Sequence, residues 1–464
     1  MRQLKSLKYT QARRGAVTPL AGLCMILMIP AIVALAVDGG MLLTERRRAQ
    51  ATADAAAMAA ACVLYDNYPV DQGQGSVGNP SGAALAVASA NGYANDGITS
   101  SVTVNIPPQS GIYAGLPSYV EVIVTYYQGR AFSGIFGTGA LPVRARAVAR
   151  GAWTDPNIGI LVLSYSGKGT LSIQGNGAVT ASGGKVIVNS NNPSASMDTG
   201  TGTITAPEFD ITGADTITGG GQMITSPIPN NILVGVHPTP DPLAYIPAPS
   251  DPGPAIVPMQ GNNVAPTYTN YSYTLPNGTT NTYKNVYILT PGAYGGPGEP
   301  NLPNFTSGDL VIFEQASAGG GGIYYLSAGG FVANGADLIM DPKTNGGIMF
   351  YNAGTGTNDG INIQGNSNGY VNLSGPTNGI YQGLTFFQAR NASEPVQLAG
   401  NGSFTVVGTI YASDALVKVT GNGGVANIGS QYVSLDLSLN GNGNVSIVYS
   451  GPQVARIRIL RLVE

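Results

Sequence analysis

The side chains that could do chemistry are few and spread out. Between residues 304 and 390 the acids fall at Asp309, Glu314, Asp337, Asp341 and Asp359. Asp337 and Asp341 lie four residues apart around a predicted strand and turn, with Lys343 just beyond, and form the nearest approach to an acid, a base and a cation. Glycan-cleaving chemistry needs such a pair to converge on one cleft. Calcium needs six or more oxygens, which two acids do not supply. The single histidine, His237, stands in a Pro-rich stretch without the partners that a metal site or a nucleophilic triad requires. Gly319–Gly322 is not followed by Lys-Ser/Thr and so is no phosphate loop. Of the two cysteines, Cys24 lies in an apolar run and Cys62 at the end of the helix that follows, so no disulfide framework is expected. The reading is a non-enzyme with no catalytic residue, no cofactor-binding residue and no metal ligand.

The elements around these residues explain the sparseness. Ala16–Val37 carries no charge, and Arg2, Lys5, Lys8, Arg13 and Arg14 precede it. A helix of that length spans about 33 Å, enough for a ~30 Å hydrocarbon core. Basic flanks stay cytoplasmic, so the N-terminus is expected inside and the bulk of the chain periplasmic or extracellular; Arg46, Arg47 and Arg48 oppose this but are fewer and farther away. The alternative is a cleaved signal peptide, for which Ala34-Leu35-Ala36 has the small-x-small form. Pro19 and Pro30 are tolerable in a membrane helix. The Ala-rich stretch after the flexible point Gly39-Gly40 extends the helix to about Leu64, with small side chains suited to close packing.

Composition sets the class of the remainder. Charged residues make up 10% of 464, against 66 Gly and 31 Pro, and the aromatics are mostly Tyr (24). This suits a β-rich extracytoplasmic protein of several domains with many tight turns. Eight of the 21 Lys/Arg but only two of the 24 Asp/Glu fall in the first 48 residues, so the rest is acidic and nucleic acid is not an expected partner.

The expected order is a basic cytoplasmic segment (1–15), a transmembrane and extended anchor helix (16–64), and a small α+β module (65–153). A β-solenoid of parallel β-helix type follows in two parts (154–225 and 304–464), separated by a Pro-rich linker or flank excursion (226–303). In the module, 65–80 reads as a loop, 81–93 and 130–137 as short helices, and 101–106, 119–127 and 141–153 as alternating strands. In the solenoid, alternating residues run into Gly-Asn-Gly or Gly-Asn-Ser at LSIQGNG (171–177), INIQGNS (361–367), VQLAGNG (396–402), VKVTGNG (417–423) and LSLNGNG (437–443). The last three begin 21 and 20 residues apart, a repeat-like spacing. Val396/Leu398, Val417/Val419 and Leu437/Leu439 are then expected to stack inward. The competing reading is a set of antiparallel hairpins, since Asn-Gly is also a hairpin signal. The tail RIRILRLVE (456–464) reads as an edge or capping strand.

Residues 13–61 resemble the TadG-like N-terminal region of bacterial Tad/Flp pilus-assembly proteins. The matching features are Arg13-Arg14-Gly15, the apolar span, Ala36-Val37-Asp38, the basic turn after it and Ala53-Asp54-Ala55-Ala56-Ala57. NGY (91–93), YVEVIVTY (119–126) and RARAVA (144–149) resemble the pilin-related modules of the TadE/TadG group, and the Gly-Asn motifs with TPGAYGG (290–296) the C-terminal halves of larger TadG-type proteins. The resemblance implies an envelope component of a pilus or adhesion apparatus, with the lipid bilayer and other pilus-assembly envelope proteins as partners. Prepilins are cut after a Gly and carry Glu five residues on; here Leu20 stands at that position after Gly15, which points to a retained anchor. The alternative is a surface glycan-binding or glycan-cleaving β-helix protein, and a cleft lined by Tyr and carboxylates would favour it.

Overall fold

A computed structural model describes residues 17–131, 134, 137–315, 322–343, 346–365, 369–400, 403–421 and 425–464. The basic segment 1–15, half of the expected helix at 130–137 and the motif residues Asn366, Asn401 and Asn422 lie outside them. The chain divides into two units. One runs to Ala152 and takes in Arg458–Glu464; the other is Trp153–Ile457.

The first unit begins with helix α1, Val17–Asp71. It runs unbroken through Gly39-Gly40 and continues past the expected end at Leu64, so the first part of the predicted loop 65–80 is helical. What ends it is a left-handed turn at Gln72 and Gly73, held by the Asp71 carboxylate, which accepts the N–H groups of Gly73 (2.9 Å) and Gly75 (3.0 Å). Helix α2, Pro80–Ala90, starts with Asn79 capping Gly82 N–H at 3.0 Å and Pro80 in the first turn, and stops at Asn91-Gly92. Strands β1 (Ser100–Asn105), β2 (Tyr119–Gln128) and β3 (Leu141–Thr154) pair antiparallel, and Ile457–Leu462 forms the other edge beside β3. The tail is thus an edge strand, as its alternation suggested.

α1 buries Ala49, Ala53, Ala56, Ala57, Ala60, Ala61 and Leu64 against the alternate residues of the sheet, Val120, Val122 and Val124 on β2 and Ala145, Ala147 and Ala149 on β3. Spacings of three and four put these alanines on one helix face. Small residues on both sides let the backbones approach, and a Cβ at Gly151 would come within 1.9 Å of the Ala61 carbonyl oxygen.

The second unit is built of parallel strands in three columns, visited in turn. The first rung is Ile158–Val162, Leu171–Gly175 and Ala178–Ser182; the next is Lys185–Val188, Ser196–Asp198 and Thr203–Ala206. Each strand pairs in parallel with its counterpart one rung away. The third column is an 11-stranded sheet, and the other two merge into one sheet because Thr409–Gly421 and Gln431–Gly441 run through both. Val396 sits on Val417 and Val417 on Leu437, and Leu398 sits on Val419 and Val419 on Leu439, all buried and all in parallel register. These pairings are not hairpins. At the corner after the second column the glycines lie too close for side chains: a Cβ at Gly441 would be 2.1 Å from Gly421 O, and one at Gly175 2.4 Å from Gly441 O. Both have φ above 100°, so the corner needs Gly twice over.

The order of rungs is not the order of the sequence. The long strand Gln431–Gly441 and Asn444–Val448 pair in parallel with the first rung: Tyr432 with Ile160, Leu437 with Leu171, Val445 with Val179. The two halves predicted as separate solenoid parts therefore form one continuous stack, with the sequence-late half first. The stack also claims Thr280–Leu289 and Gly292–Tyr294, which the sequence reading left in the Pro-rich segment.

The rest of that segment is the return path, and it lies on the flank. Thr239 exchanges two hydrogen bonds with the Asn189 side chain (2.7 and 2.8 Å). Asp241 accepts Tyr411 Oη–H at 2.6 Å, and Arg390 donates to the carbonyls of Leu243 (3.0 Å) and Ile246 (2.9 Å). Ala255 N–H then reaches Ala293 O, and Val264 N–H reaches Asn301 O. Leu243 and Ile246 bury themselves on an outward apolar row that includes Leu161, Val433, Tyr411, Phe387 and Tyr351. First-column strands such as Ile348–Asn352 and Leu384–Gln388 are accordingly buried on both faces.

Candidate functional site: an apolar helix and a tyrosine-lined cleft

In the first unit the candidate functional element is the first half of α1. Leu23, Met25, Ile26, Met28, Ile29 and Ile32 are all more than half exposed. They cover every side of the helix rather than one face, so no single protein surface satisfies them. Among the described residues this is the one helix long and apolar enough to cross a membrane. Cys24 and Cys62 are both free and exposed, and Arg46, Arg47 and Arg48 are exposed. Glu45, by contrast, is buried and accepts Tyr93 Oη–H at 2.6 Å.

The same unit holds a buried ion pair that the sequence reading missed. Glu121, in the middle of β2, accepts from Arg146 Nε (2.5 Å), Asn105 Nδ2 (2.7 Å), Gln109 N–H (3.1 Å) and the Ser110 hydroxyl. Burial pushes its carboxyl up, but the bonds from Ser110, Asn105 and Arg146 outweigh it and hold the group down at about 2. Arg146 also pairs with Glu464 at 2.7 Å, which fastens the tail to the sheet. A lone acid in YVEVIV and the second arginine of RARAVA were the available signals.

In the second unit, the scattered acids separate into two kinds. Asp309 accepts from Thr306 N–H and Asn285 Nδ2 (both 2.8 Å). Asp337 accepts from Tyr283 Oη–H (2.5 Å) and Tyr370 N–H (2.7 Å), and Asp359 from the N–H groups of Gly329 and Gly356 (both 2.6 Å). All three are buried, and they tie neighbouring segments of the stack together. Asp337 therefore does not join Asp341, which lies past the other end of the same strand.

Asp341 lines a cleft with Glu314 instead. Phe313 pairs with Met340, which sets the two acids side by side on neighbouring rungs. They line a cleft of about 190 Å³ together with Lys343, Tyr268, Tyr271 and Tyr273, over a floor of Val286, Ile288 and Ile312. The tyrosines come from Tyr268–Thr274, which pairs antiparallel with Thr280–Leu289 and adds an outer strand to the third column. Strict alternation would put Tyr268 and Tyr271 on opposite faces; Asn270, with φ of +48°, turns the strand so that both rings line the cleft and stack, with centroids 4.8 Å apart. Burial and the nearby Asp341 charge raise the Tyr273 phenol above its ordinary range. Sequence reading noted Glu314, Asp341 and Lys343 but not the tyrosines, because the bend at Asn270 leaves no trace in the residue pattern. His237 is exposed, and no cluster of metal-ligating residues occurs among the described residues.

Residues 15–63 match the family model Tad, described as "Putative Flp pilus-assembly TadE/G-like". No curated protein and no solved structure matches the chain.

Proposed function

We propose that this chain is a membrane-anchored, non-catalytic structural component of a Tad/Flp-type pilus-assembly or adhesion apparatus. Its N-terminus is cytoplasmic, and it holds a β-solenoid in the periplasm or outside the cell. The observation that carries this reading is α1, one uninterrupted helix with two surfaces. Its first half is apolar on all sides and suits lipid; its second half is closed against its own sheet. A solenoid is the economical account of three parallel columns sharing one core. The family match over 15–63 supplies the pilus context, and other assembly proteins are the partners it suggests. Retention of the anchor is supported by the small-x-small motif 34–36 lying within the helix. The absence of catalysis is supported by Asp309, Asp337 and Asp359 serving as acceptors for backbone and side-chain donors.

The test is protease accessibility. Protease added to intact spheroplasts should digest 65–464 and leave the anchor with the membrane. Protection of that region, or a mature chain beginning at Val37, would overturn the proposal.

A further inference from the structure

We infer that the cleft between the Tyr268–Thr274 strand and the Asp341 corner is a carbohydrate-binding site. The third column elsewhere turns polar residues outward, among them Asn372, Thr405, Asn427 and Ser446. Beneath this cleft it turns Val286 and Ile312 outward instead, and both are buried. Above them stand Tyr268 and Tyr271, each more than two-fifths exposed. An apolar floor, exposed aromatic faces and a few convergent polar groups are the parts of a small-ligand site.

The chemistry of those parts selects the ligand class. Glu314 and Asp341 offer only acceptors when ionised, and Lys343 offers only donors. A sugar hydroxyl donates to the former and accepts from the latter, while the C–H face of a pyranose ring lies on a tyrosine ring. An anion would be repelled by two carboxylates, and an organic cation, though drawn to the rings, would meet Lys343. A neutral glycan satisfies all three kinds of group together. This inference is independent of the anchor and of the apparatus proposed above.

The experiment uses the full chain in a sugar-free detergent. Cellohexaose, maltohexaose and chitohexaose are titrated by calorimetry and by saturation-transfer NMR, with tetramethylammonium as the cationic comparison. Saturable binding of at least one hexasaccharide is expected. Tyr271→Ala should weaken it roughly tenfold, while Tyr271→Phe, which keeps the ring, stays close to the parent. Tyr271 is exposed, so neither variant should alter the melting temperature. The site is overturned if no hexasaccharide binds, if only tetramethylammonium binds, or if Tyr268→Ala and Tyr271→Ala bind as the parent does. Shortened oligosaccharides would support the site while overturning the non-catalytic part of the proposed function, so the two readings fail separately.

Discussion

The two units solve the same problem with opposite materials. The helix-and-sheet unit closes on alanine, with Ala53, Ala57 and Ala61 facing Ala145, Ala147 and Ala149, and it buries one ion pair, Glu121 with Arg146. The parallel stack closes on large side chains. Phe350 alone contacts Phe313, Tyr324, Phe331 and Phe386, with ring centroids 5.1 to 5.5 Å apart. Close backbone approach gives the first unit specificity with little apolar area per residue, so it tolerates no growth, as the Gly151–Ala61 contact shows. The stack gains area from every rung, so it tolerates no loss.

Removing a ring from the ladder should have the largest effect. Phe350→Ala should destabilise the stack by about 3–5 kcal/mol, because its neighbours lie on adjacent rungs and cannot close the cavity. Hydrogen exchange read peptide by peptide should show faster exchange across 322–407 and no change across 100–149. Equal losses in both regions would mean that the units unfold together and that the contrast between them has no energetic content.

The contrast is unequally legible in the sequence. Alternation and Gly-Asn-Gly corners are local, so the inward stacking of Val396, Val417 and Leu437 is readable. The joining of Leu437 to Leu171 is not: it links residues far apart through register alone, and nothing local marks which rung a strand joins. The Pro-rich path posed the same difficulty, since its anchor points Asn189, Arg390 and Tyr411 belong to distant rungs. α1 ran longer than expected because Tyr65–Asp71 carries Asn and Pro, which read as breakers until the Asp71 turn is seen. For the cleft, the charged residues were visible and the aromatic wall was not, because one left-handed residue decides where Tyr268 points.

Acid should separate the units next. The Glu121 carboxyl lies below its ordinary 4.5 in the folded chain, at about 2. Its contribution is therefore complete above about pH 4.5 and lost as pH falls toward 2, amounting to about 3 kcal/mol for the first unit. Glu121→Gln should flatten that dependence in 100–149 while leaving exchange in the stack as it was. An unaltered acid limb in the variant would mean that another group drives it.

The smallest effect tests whether the flank path is a strap or a tether. Arg390 donates to two carbonyls of the path, donates to Tyr411 Oη at 2.8 Å, and lies over the Phe387 and Tyr411 rings. It is exposed, so solvent replaces part of what is lost, and Arg390→Met should cost only about 1 kcal/mol. Proteolysis in the regime where cleavage follows the open population converts that into roughly fivefold faster cutting within 239–255. The stack should keep its exchange protection at 431–448, since the Leu437–Leu171 join does not use Arg390. Unchanged cutting would mean that Leu243 and Ile246 hold the path by burial alone. Lost protection at 431–448 would mean that the strap, rather than the core, keeps the sequence-late half of the stack against the sequence-early half.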